Sequence, residues 1–147
     1  LCGGGLYNQT LLTVTSSTLA GNGALRGDAL GSDVIEKRGA TSLANTLIEG
    51  DCANDAPLIS NGYNIESPGD TCGLDEAKGD HVGVTAQELD LGPLEDNGGS
   101  AQTHAITTDS AAFNVIPEPM CQVGDDERGV TRPQGSACDV GAFELEI

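Results

Sequence analysis

The chain of 147 residues fits one domain with a continuous core, and 23 acidic against 6 basic residues give it a net charge of −17. Such a charge repels polyanions and excludes nucleic-acid binding, and no apolar run approaches the roughly 20 residues of a membrane span, so we expect no membrane insertion. Two Tyr, two Phe, no Trp and 21 Gly predict a thin aliphatic core, as in short strands stacked along an axis.

The amino-terminal third of the sequence contains a degenerate internal repeat. Val14–Asn22 aligns with Leu43–Asp51, and apolar residues fall on apolar residues. Gly21 falls on Gly50 in the same alignment. Because solenoid periods lie between about 20 and 50 residues, the spacing of the two copies predicts one turn of a parallel β-helix that carries a loop insertion. We place this insertion at Gly27–Lys37.

Within each repeat the pattern predicts short strands joined by tight corners. Leu12, Val14 and Ser16 alternate with threonine and serine, which is typical of a half-buried strand. Gly21-Asn22 and Gly50-Asp51 follow these strands, and a glycine at positive φ beside a capping Asn or Asp suits a corner. We expect such strands to form the layers of the stack.

The repeat fades after Asp51. Later segments are rich in Asp, Gly, Pro and Asn, which indicates loops, and the apolar islands between them are short enough for single strands or a capping layer. Ala86–Leu91 is the one later segment with the pattern of a helical turn. We therefore predict one domain over residues 1–147, with regular repeats at 1–51 and loop-rich turns with a carboxy-terminal cap at 52–147.

Five cysteines occur in acidic, Gly-rich sequence without a C-x-x-C pair or a histidine at metal-ligand spacing, so no zinc site is expected. Cys52 and Cys72 bracket one loop. Cys121 and Cys138 bracket another, so the simplest framework is two local disulfides, which implies an oxidising, extracellular compartment. Cys2 is left over and is a candidate for a bridge between subunits. Spacing alone does not prove this connectivity.

Several strings along the chain resemble one protein family. They are Gly3-Gly4-Gly5-Leu6-Tyr7-Asn8, Thr18-Leu19-Ala20-Gly21-Asn22, Asp51-Cys52, Gly62-Tyr63-Asn64-Ile65, Cys72-Gly73, Leu91-Gly92-Pro93-Leu94-Glu95-Asp96-Asn97-Gly98-Gly99 and Gln102-Thr103-His104. The most specific block is Asp126-Glu127-Arg128-Gly129, Arg132-Pro133-Gln134-Gly135 and Cys138-Asp139-Val140-Gly141-Ala142-Phe143-Glu144. Together they resemble the carboxy-terminal region of bacterial secreted β-helix proteins described as polymorphic-outer-membrane-protein-like or choice-of-anchor Q proteins.

This resemblance implies secretion and a role at or beyond the cell surface. It also implies a fold that is all-β: a right-handed parallel β-helix, or solenoid, here with long disulfide-stapled loops and a carboxy-terminal capping segment. Members of the family often carry a variable anchor after the final block. The present sequence ends at Leu145-Glu146-Ile147, so we do not expect this chain to anchor itself.

The final block combines basic, acidic and aromatic residues, which suggests a structural cap rather than a catalytic site. We expect Arg128 and Arg132 to fix the terminal loop through bidentate pairs with Asp139 or Glu144, because a guanidinium matches the geometry of a carboxylate. Phe143 is expected to close the aliphatic core.

No arrangement of residues predicts an enzyme. His81 and His104 lie far apart in sequence and have no neighbouring nucleophile motif, and His104 is expected to make a structural hydrogen bond. A polysaccharide lyase needs a basic groove, which six Lys and Arg residues hardly provide. Oxygen ligands of the kind that Ca²⁺ takes occur, without EF-hand spacing, at Asp75-Glu76, Asp80, Asp125-Asp126-Glu127 and the pair Asp51 and Asp55. We predict no cofactor and no metal, with Ca²⁺ as a minor alternative.

The amino-terminal end is the most suggestive surface. A β-helix that begins at Gly3-Gly4-Gly5 without a capping helix leaves strand-edge donors and acceptors that pair with another chain. We predict a non-enzymatic extracellular structural module of a cell-surface appendage, whose partners are further copies in a filament or the neighbouring repeats of a longer chain. A carbohydrate-active or glycan-binding β-helix is the alternative, although Tyr7 and Tyr63 offer few stacking platforms. Asn8-Gln9-Thr10 is a sequon, so Asn8 is a candidate glycosylation site.

Overall fold

A computed structural model describes residues 5–8, 10–23, 30–32, 40–54 and 58–147. These residues form an all-β fold with one short helix, α1 (Ala86–Leu89), and two 3₁₀ turns, Glu76–Lys78 and Glu118–Met120. The strands are β1 (Leu6–Asn8), β2 (Leu11–Thr15), β3 (Thr18–Leu19), β4 (Leu30–Ser32), β5 (Ala40–Ala44), β6 (Leu47–Glu49), β7 (Cys52–Asn54), β8 (Leu58–Ser60), β9 (Ile65–Ser67), β10 (Leu94–Glu95) and β11 (Thr103–His104).

The first nine strands build three parallel sheets. Their orders are β1-β4-β7, β2-β5-β8 and β3-β6-β9, so each of the strands β1 to β6 pairs with the third strand after it along the chain. We call β1–β3, β4–β6 and β7–β9 the first, second and third pass, because each visits the three sheets in the same order. Strands β10 and β11 form a separate antiparallel hairpin.

The strand register confirms the internal repeat that the sequence predicts. Val14 pairs with Leu43, and Leu19 pairs with Ile48, which is the alignment of the two sequence copies. Both predicted corner glycines adopt positive φ, with 63° at Gly21 and 131° at Gly50.

The predicted insertion is wrong in its central part. Leu30–Ser32, which lies inside Gly27–Lys37, is strand β4 and pairs with both β1 and β7. In sequence β1 ends at Asn8 and β2 begins at Leu11, whereas β4 ends at Ser32 and β5 begins only at Ala40, so the extra residues of the second pass come after Ser32. A strand of such short length does not show a periodic pattern, which is why the sequence did not reveal it. The rest of the predicted insertion lies outside the described residues.

Regular pairing also continues past the predicted boundary at residue 51. Strands β7, β8 and β9 make a third pass that ends at Ser67. Thr41 pairs with Leu12 on one side and with Leu58 on the other, so the step to the third pass is much shorter than the step to the second. The period therefore shortens along the chain, and a search for a constant repeat cannot find its last copy. Ala86–Leu89, in contrast, is helical as the sequence predicts.

Two apolar clusters lie on opposite sides of the third sheet. Ile48 belongs to an inner cluster, whereas its neighbour Leu47 belongs to an outer one, because successive side chains of a strand point to opposite faces. The inner cluster draws on all three sheets and contains Val14, Leu43, Ile48, Cys52 and Cys72, with Leu6, Leu12, Leu19, Leu58 and Leu74 packed against it. In the outer cluster, Leu47 and Ile65 pack against Leu89, Ile106, Ala112, Ile116, Cys138, Val140 and Phe143. The residues from Leu89 onward thus form a layer, the carboxy-terminal layer, over the third sheet.

A column of left-handed residues turns the chain from the second sheet into the third. It consists of Ser16, Asn45, Tyr63 and Gly79, with φ of 46°, 54°, 55° and 80°. The N–H of each of the first three donates to a carbonyl of the next layer, at Ala44, Gly62 and Lys78 respectively. We call these four residues the corner column.

The corner column predicts a large effect for a methyl group at Gly79. A Cβ there would lie 2.8 Å from the ring of Tyr63, whereas a Cβ at Gly83, which also has positive φ, would meet nothing within 4 Å. Gly83→Ala should lower the free energy of unfolding by about 1–2 kcal/mol through φ alone. Gly79→Ala should cost about 1–3 kcal/mol more through overpacking. Urea unfolding of both variants measures the difference, and equal losses would show that Tyr63 yields freely.

Candidate functional site

The three sheets end in a set of edge strands, β1, β2 and β3, at one end of the stack. We call it the open end, since no strand in the described ranges pairs with the outer side of β2 or β3. In β2, Thr10 O accepts from Ala40 N and Ser16 N donates to Ala44 O, so the even-numbered residues face β5. Because a strand's backbone groups alternate between its two sides, the N–H and C=O of Leu11, Thr13 and Thr15 point away from β5.

The opposite end of the stack is covered by residues 68–84, which we call the covering segment. Over β7, Thr71 Oγ1 accepts from Cys52 N at 2.8 Å. Over β8, Lys78 Nζ donates to Ser60 O at 2.8 Å. Over β9, His81 O accepts from Glu66 N, also at 2.8 Å. All three edge strands at this end therefore have partners.

Buried polar side chains hold the covering segment in place. Glu66 is fully buried, and its carboxylate accepts from Thr71 Oγ1 at 2.7 Å and from the N–H of Cys72 at 3.0 Å. Asp80 is 1% exposed and accepts from the backbone N–H and the side-chain amide of Asn64, at 2.8 and 3.0 Å. A buried carboxylate needs such donors, because without them its desolvation would be costly.

Beside the open end the structure forms a cleft of about 450 Å³, which we call the corner cleft. Residues 15–18, the corner of the first pass, form one side of it. Residues 101–104 and 125–127, with Leu94 and Arg132, form the other, and all of these belong to the carboxy-terminal layer. The cleft therefore joins residues from the two ends of the sequence, which no local pattern predicts.

The lining of the corner cleft is mainly polar. Gln102, Asp125 and Glu127 are exposed in it. His104 Nδ1 lies 2.7 Å from Gly92 O and donates to it, because a carbonyl only accepts, which is the structural role that the sequence predicts. Arg132 Nε is buried and has no hydrogen-bond partner among the described residues. Arg132 contributes to the wall of the cleft, so an acceptor that reached this donor from the cleft would satisfy it.

The remaining atoms of the Arg132 guanidinium tie the carboxy-terminal layer together. The side chain is 1% exposed, and its Nη1 lies 3.2 Å from the carboxylate of Glu144. It donates to Asp139 O at 2.6 Å and to Gly141 O at 2.7 Å. Glu144 in turn accepts from the N–H of Gln134 and of Asp139, both at 2.9 Å. The predicted pair between Arg132 and Glu144 therefore forms, but through one guanidinium nitrogen, with backbone carbonyls as the further partners.

Arg128 has a different partner from the predicted ones. Its Nε and Nη2 lie 3.0 and 2.8 Å from one carboxylate oxygen of Asp126, and its backbone N–H donates to the other at 2.8 Å. The guanidinium stacks on the Phe143 ring at 3.7 Å from the centroid, and Phe143 is buried in the outer cluster. An Asp side chain often accepts a hydrogen bond from the N–H two residues later in a turn. The Asp-Glu-Arg-Gly string could therefore have indicated Asp126 as the partner of Arg128. The Asp139 carboxylate instead accepts from the N–H of Asn114 and Leu145, both at 2.7 Å.

The environment shifts the pKa values of this network in opposite directions. Burial raises the pKa of Asp126, but the N–H groups of Glu144 and Val130 and the Arg128 side chain outweigh it, so the net shift is downward. Burial raises the pKa of Asp139 above its ordinary value, although the N–H of Asn114 and of Leu145 lower it. Burial also lowers the pKa of Arg132 against the opposing effect of Glu144.

Asp126 should make the stability of the protein depend on pH in the acidic range. Because its pKa is lowered on folding, its contribution is present above the unfolded value of about 3.9 and is lost as pH falls through the folded value. Asp126→Asn should therefore be less stable at pH 7 and should lose less stability between pH 5 and the acid limit. Urea midpoints across pH measure this, with exposed Asp109→Asn as the control. Parallel profiles for the native protein and Asp126→Asn would contradict the assignment.

The four paired cysteines form the two bridges that the spacing indicated. Cys52 is joined to Cys72 and Cys121 to Cys138. The first bridge fastens the covering segment to β7, and the second closes a loop within the carboxy-terminal layer. Cys2, the candidate intersubunit cysteine, lies outside the described residues.

Asn8, whose glycosylation stays a prediction, is buried and hydrogen-bonded in the folded protein. It is 7% exposed, and its Nδ2 donates to Thr10 O at 3.0 Å and to Thr41 Oγ1 at 3.1 Å. Its Oδ1 accepts from Thr10 N at 3.0 Å. The amide holds the first pass to the second, so an attached sugar would break these bonds.

No described residues form a cluster of three or more His, Cys, Asp or Glu side chains that is suited to a metal ion. Of the carboxylates considered for Ca²⁺, Asp80 accepts from backbone and amide donors and Asp126 pairs with Arg128, whereas Asp55 lies outside the described ranges. No helix in the described part of the chain has the length and apolar character that a membrane span requires.

Comparison with known proteins adds no relative to this picture. No family model, no curated protein and no solved structure matches the chain. The likeness to secreted β-helix proteins therefore remains a prediction from sequence strings.

Proposed function

We propose that the chain is a non-enzymatic, extracellular structural module that terminates a stack of β-strands at a cell-surface appendage. It joins the stack through its open end by strand-edge pairing. The observation behind the proposal is the asymmetry of the two ends: among the described residues no strand pairs with the outer edges of β2 and β3, whereas the covering segment occupies those of β7, β8 and β9.

We further propose that the three sheets close into a right-handed parallel β-helix. Three passes visit the sheets in a constant order, and parallel connections of this kind are right-handed in nearly all proteins. The inner cluster, to which every sheet contributes, supports closure around a common core. The two disulfides favour an oxidising, extracellular compartment, where such bridges form and persist.

A terminating role is better supported than a filament that grows by end-to-end stacking. Filament growth needs two complementary ends on each copy, since a heterologous contact has to repeat. Here the covering segment occupies one end, and Glu66, Asp80 and a disulfide hold it there. Copies that meet through their open ends would close as dimers instead.

Sedimentation velocity of the native chain over a range of concentrations tests the proposal. We expect a reversible equilibrium between monomer and dimer, with no larger species. Regular filaments under the electron microscope, with or without reductant, would instead favour the propagating alternative. A monomer at every concentration up to the millimolar range would contradict pairing through the open end.

A proline at Thr13 locates the contact. The N–H of Thr13 points away from β5 and its side chain is exposed, so Thr13→Pro removes an edge donor without removing a bond inside the sheet. We expect dimerisation to weaken at least tenfold in Thr13→Pro and to persist in Thr13→Val, which keeps the N–H. Equal dimerisation of the two variants would place the contact elsewhere.

A further inference from the structure

We propose that the corner cleft is a docking site for an extended polypeptide segment that bends through a left-handed residue and adds one strand layer to the open end. This inference rests on the proposed function and specifies the chain conformation that the open end accepts. It is carried by the hydrogen-bond pattern of the corner column, by the shape of the carboxy-terminal layer and by the lone donor of Arg132.

The hydrogen-bond pattern at the corners defines what the next layer must present. Asn45 N donates to Gly62 O, and Tyr63 N donates to Lys78 O. The carbonyl of the residue just before each corner therefore accepts a hydrogen bond from the preceding layer. The corresponding carbonyl of the first pass is Thr15 O. Its described partner is the hydroxyl of Ser17 at 2.8 Å, and a carbonyl oxygen accepts a second bond.

The first pass also has a backbone N–H donor close to the acceptor Thr15 O. Leu47 N donates to Ser17 O and Ile65 N donates to Thr46 O, so the residue two positions after each corner bonds back to the preceding layer. Thr18 occupies this position in the first pass. A segment that crosses the corner in the same way therefore receives one bond from Thr18 N and gives one to Thr15 O.

The carboxy-terminal layer leaves space for this segment at the corner of the first pass. At the second pass it closes on the corner, because Asn45 Nδ2 donates to Met120 O at 3.0 Å and Gly141 N donates to Asn45 O at 3.0 Å. At the first pass the layer contacts Thr18, because Ala142 N donates to Thr18 Oγ1 at 3.0 Å. Beyond this contact a space separates the layer from Ser16. The resulting gap is the corner cleft.

Arg132 indicates the side chain that fits this gap. It lines the cleft, its Nη1 and Nη2 have acceptors, and its Nε has none among the described residues. A small side chain with an oxygen acceptor would offer Arg132 Nε a partner, and its residue has to adopt the left-handed conformation of the corner. Asparagine has this chemistry and is among the residues that tolerate a left-handed conformation, as Asn45 does at φ 54°.

The covered end of a second copy does not fit as the occupant. There the carbonyl of Lys78 already accepts from Tyr63, and a Cβ on Gly62 would lie only 2.7 Å from the same oxygen. The cleft therefore accepts a strand–corner–strand segment whose backbone edge is not already occupied by a covering segment.

A peptide with the sequence of residues 40–49 (ATSLANTLIE) is a suitable probe, because this segment makes the strand–corner–strand path of the second pass. It is titrated into ¹⁵N-labelled protein at a concentration where the monomer predominates. We expect saturable NMR shifts at the Thr18 N–H and at the Arg132 Nε–H. A peptide with Asn45→Val should bind about tenfold more weakly, since a β-branched residue is strained at a left-handed corner.

Two matched protein variants separate the cleft from the strand edge. Gln102 and Gln122 are both exposed, but only Gln102 lines the cleft. Gln102→Trp fills the cleft and should weaken peptide binding at least tenfold, whereas Gln122→Trp should bind as the native chain does. Undiminished binding to Gln102→Trp, with shifts confined to β1 and β2, would overturn the cleft assignment and leave the stacking function intact.

Two further outcomes overturn the inference. Absence of shifts at every open-end residue with the peptide, together with a monomer in sedimentation, would overturn both the cleft and the stacking function. Saturable shifts of the cleft residues with neutral oligosaccharides, and none with the peptide, would replace the docking site by a glycan site.

Discussion

Removal of the Cys52–Cys72 bridge should lower the free energy of unfolding by about 3 kcal/mol, because the bridge closes a loop of 20 residues whose entropy the unfolded chain then regains. The double variant Cys52→Ala with Cys72→Ala should also loosen the covering segment locally. Amide hydrogen exchange at Tyr63 and His81, whose N–H groups bond across this end, should become faster than in the native protein. Urea unfolding and exchange rates give the two measurements.

The second disulfide is the matched control. Cys121 and Cys138 close a loop of similar size, 17 residues, so their replacement by alanine should cost a similar amount of stability. It should leave exchange at Tyr63 and His81 tied to global unfolding. If both double variants accelerated these two amides equally at matched stability, the covering segment would not depend on the first bridge.

Loss of the Arg132 side chain should destabilise the protein strongly. Arg132→Met leaves Glu144, which is 1% exposed, without its cation and deprives the carbonyls of Asp139 and Gly141 of a donor. Breaking a buried ion pair by removing one partner costs about 3–5 kcal/mol. Urea unfolding monitored by circular dichroism measures the loss.

An exposed ion pair in the same layer provides the comparison. Glu146 lies 3.6 Å from Arg128 and its side chain is 67% exposed. Glu146→Gln should change the free energy of unfolding by less than about 0.5 kcal/mol, since exposed pairs contribute little. If Arg132→Met lost less than about 1 kcal/mol, far below the cost of a broken buried pair, backbone packing rather than the ion pair would hold the carboxy-terminal layer.

The parts of the fold that the sequence predicted are those with a local or repeated signal. The pairing of Val14 with Leu43 followed from a repeated apolar pattern, and the corners at Gly21 and Gly50 from glycine, which adopts positive φ easily. The disulfides followed from spacing, because each pair brackets a single loop.

The parts that it missed depend on tertiary context. Ser16 and Tyr63 adopt positive φ without the glycine that usually marks such a conformation, because the hydrogen bonds of adjacent layers impose it. The corner cleft joins residues 15–18 to 125–127, and no pattern in either segment indicates that the two meet. The covering segment was predicted only as a loop, since its role depends on the strand edges beneath it.

The unequal connections between the first and second sheets have a practical consequence. In sequence β2 begins soon after Asn8 of β1, whereas β5 begins much farther behind Ser32 of β4, and yet β2 and β5 stay in register from Leu11 and Ala40 to Thr15 and Ala44. Register is thus maintained by the ladder and the corner column, not by the length of this connection. An insertion between Ser32 and Ala40 should therefore leave these strand pairs unshifted, so the scaffold should be able to carry a foreign epitope between β4 and β5.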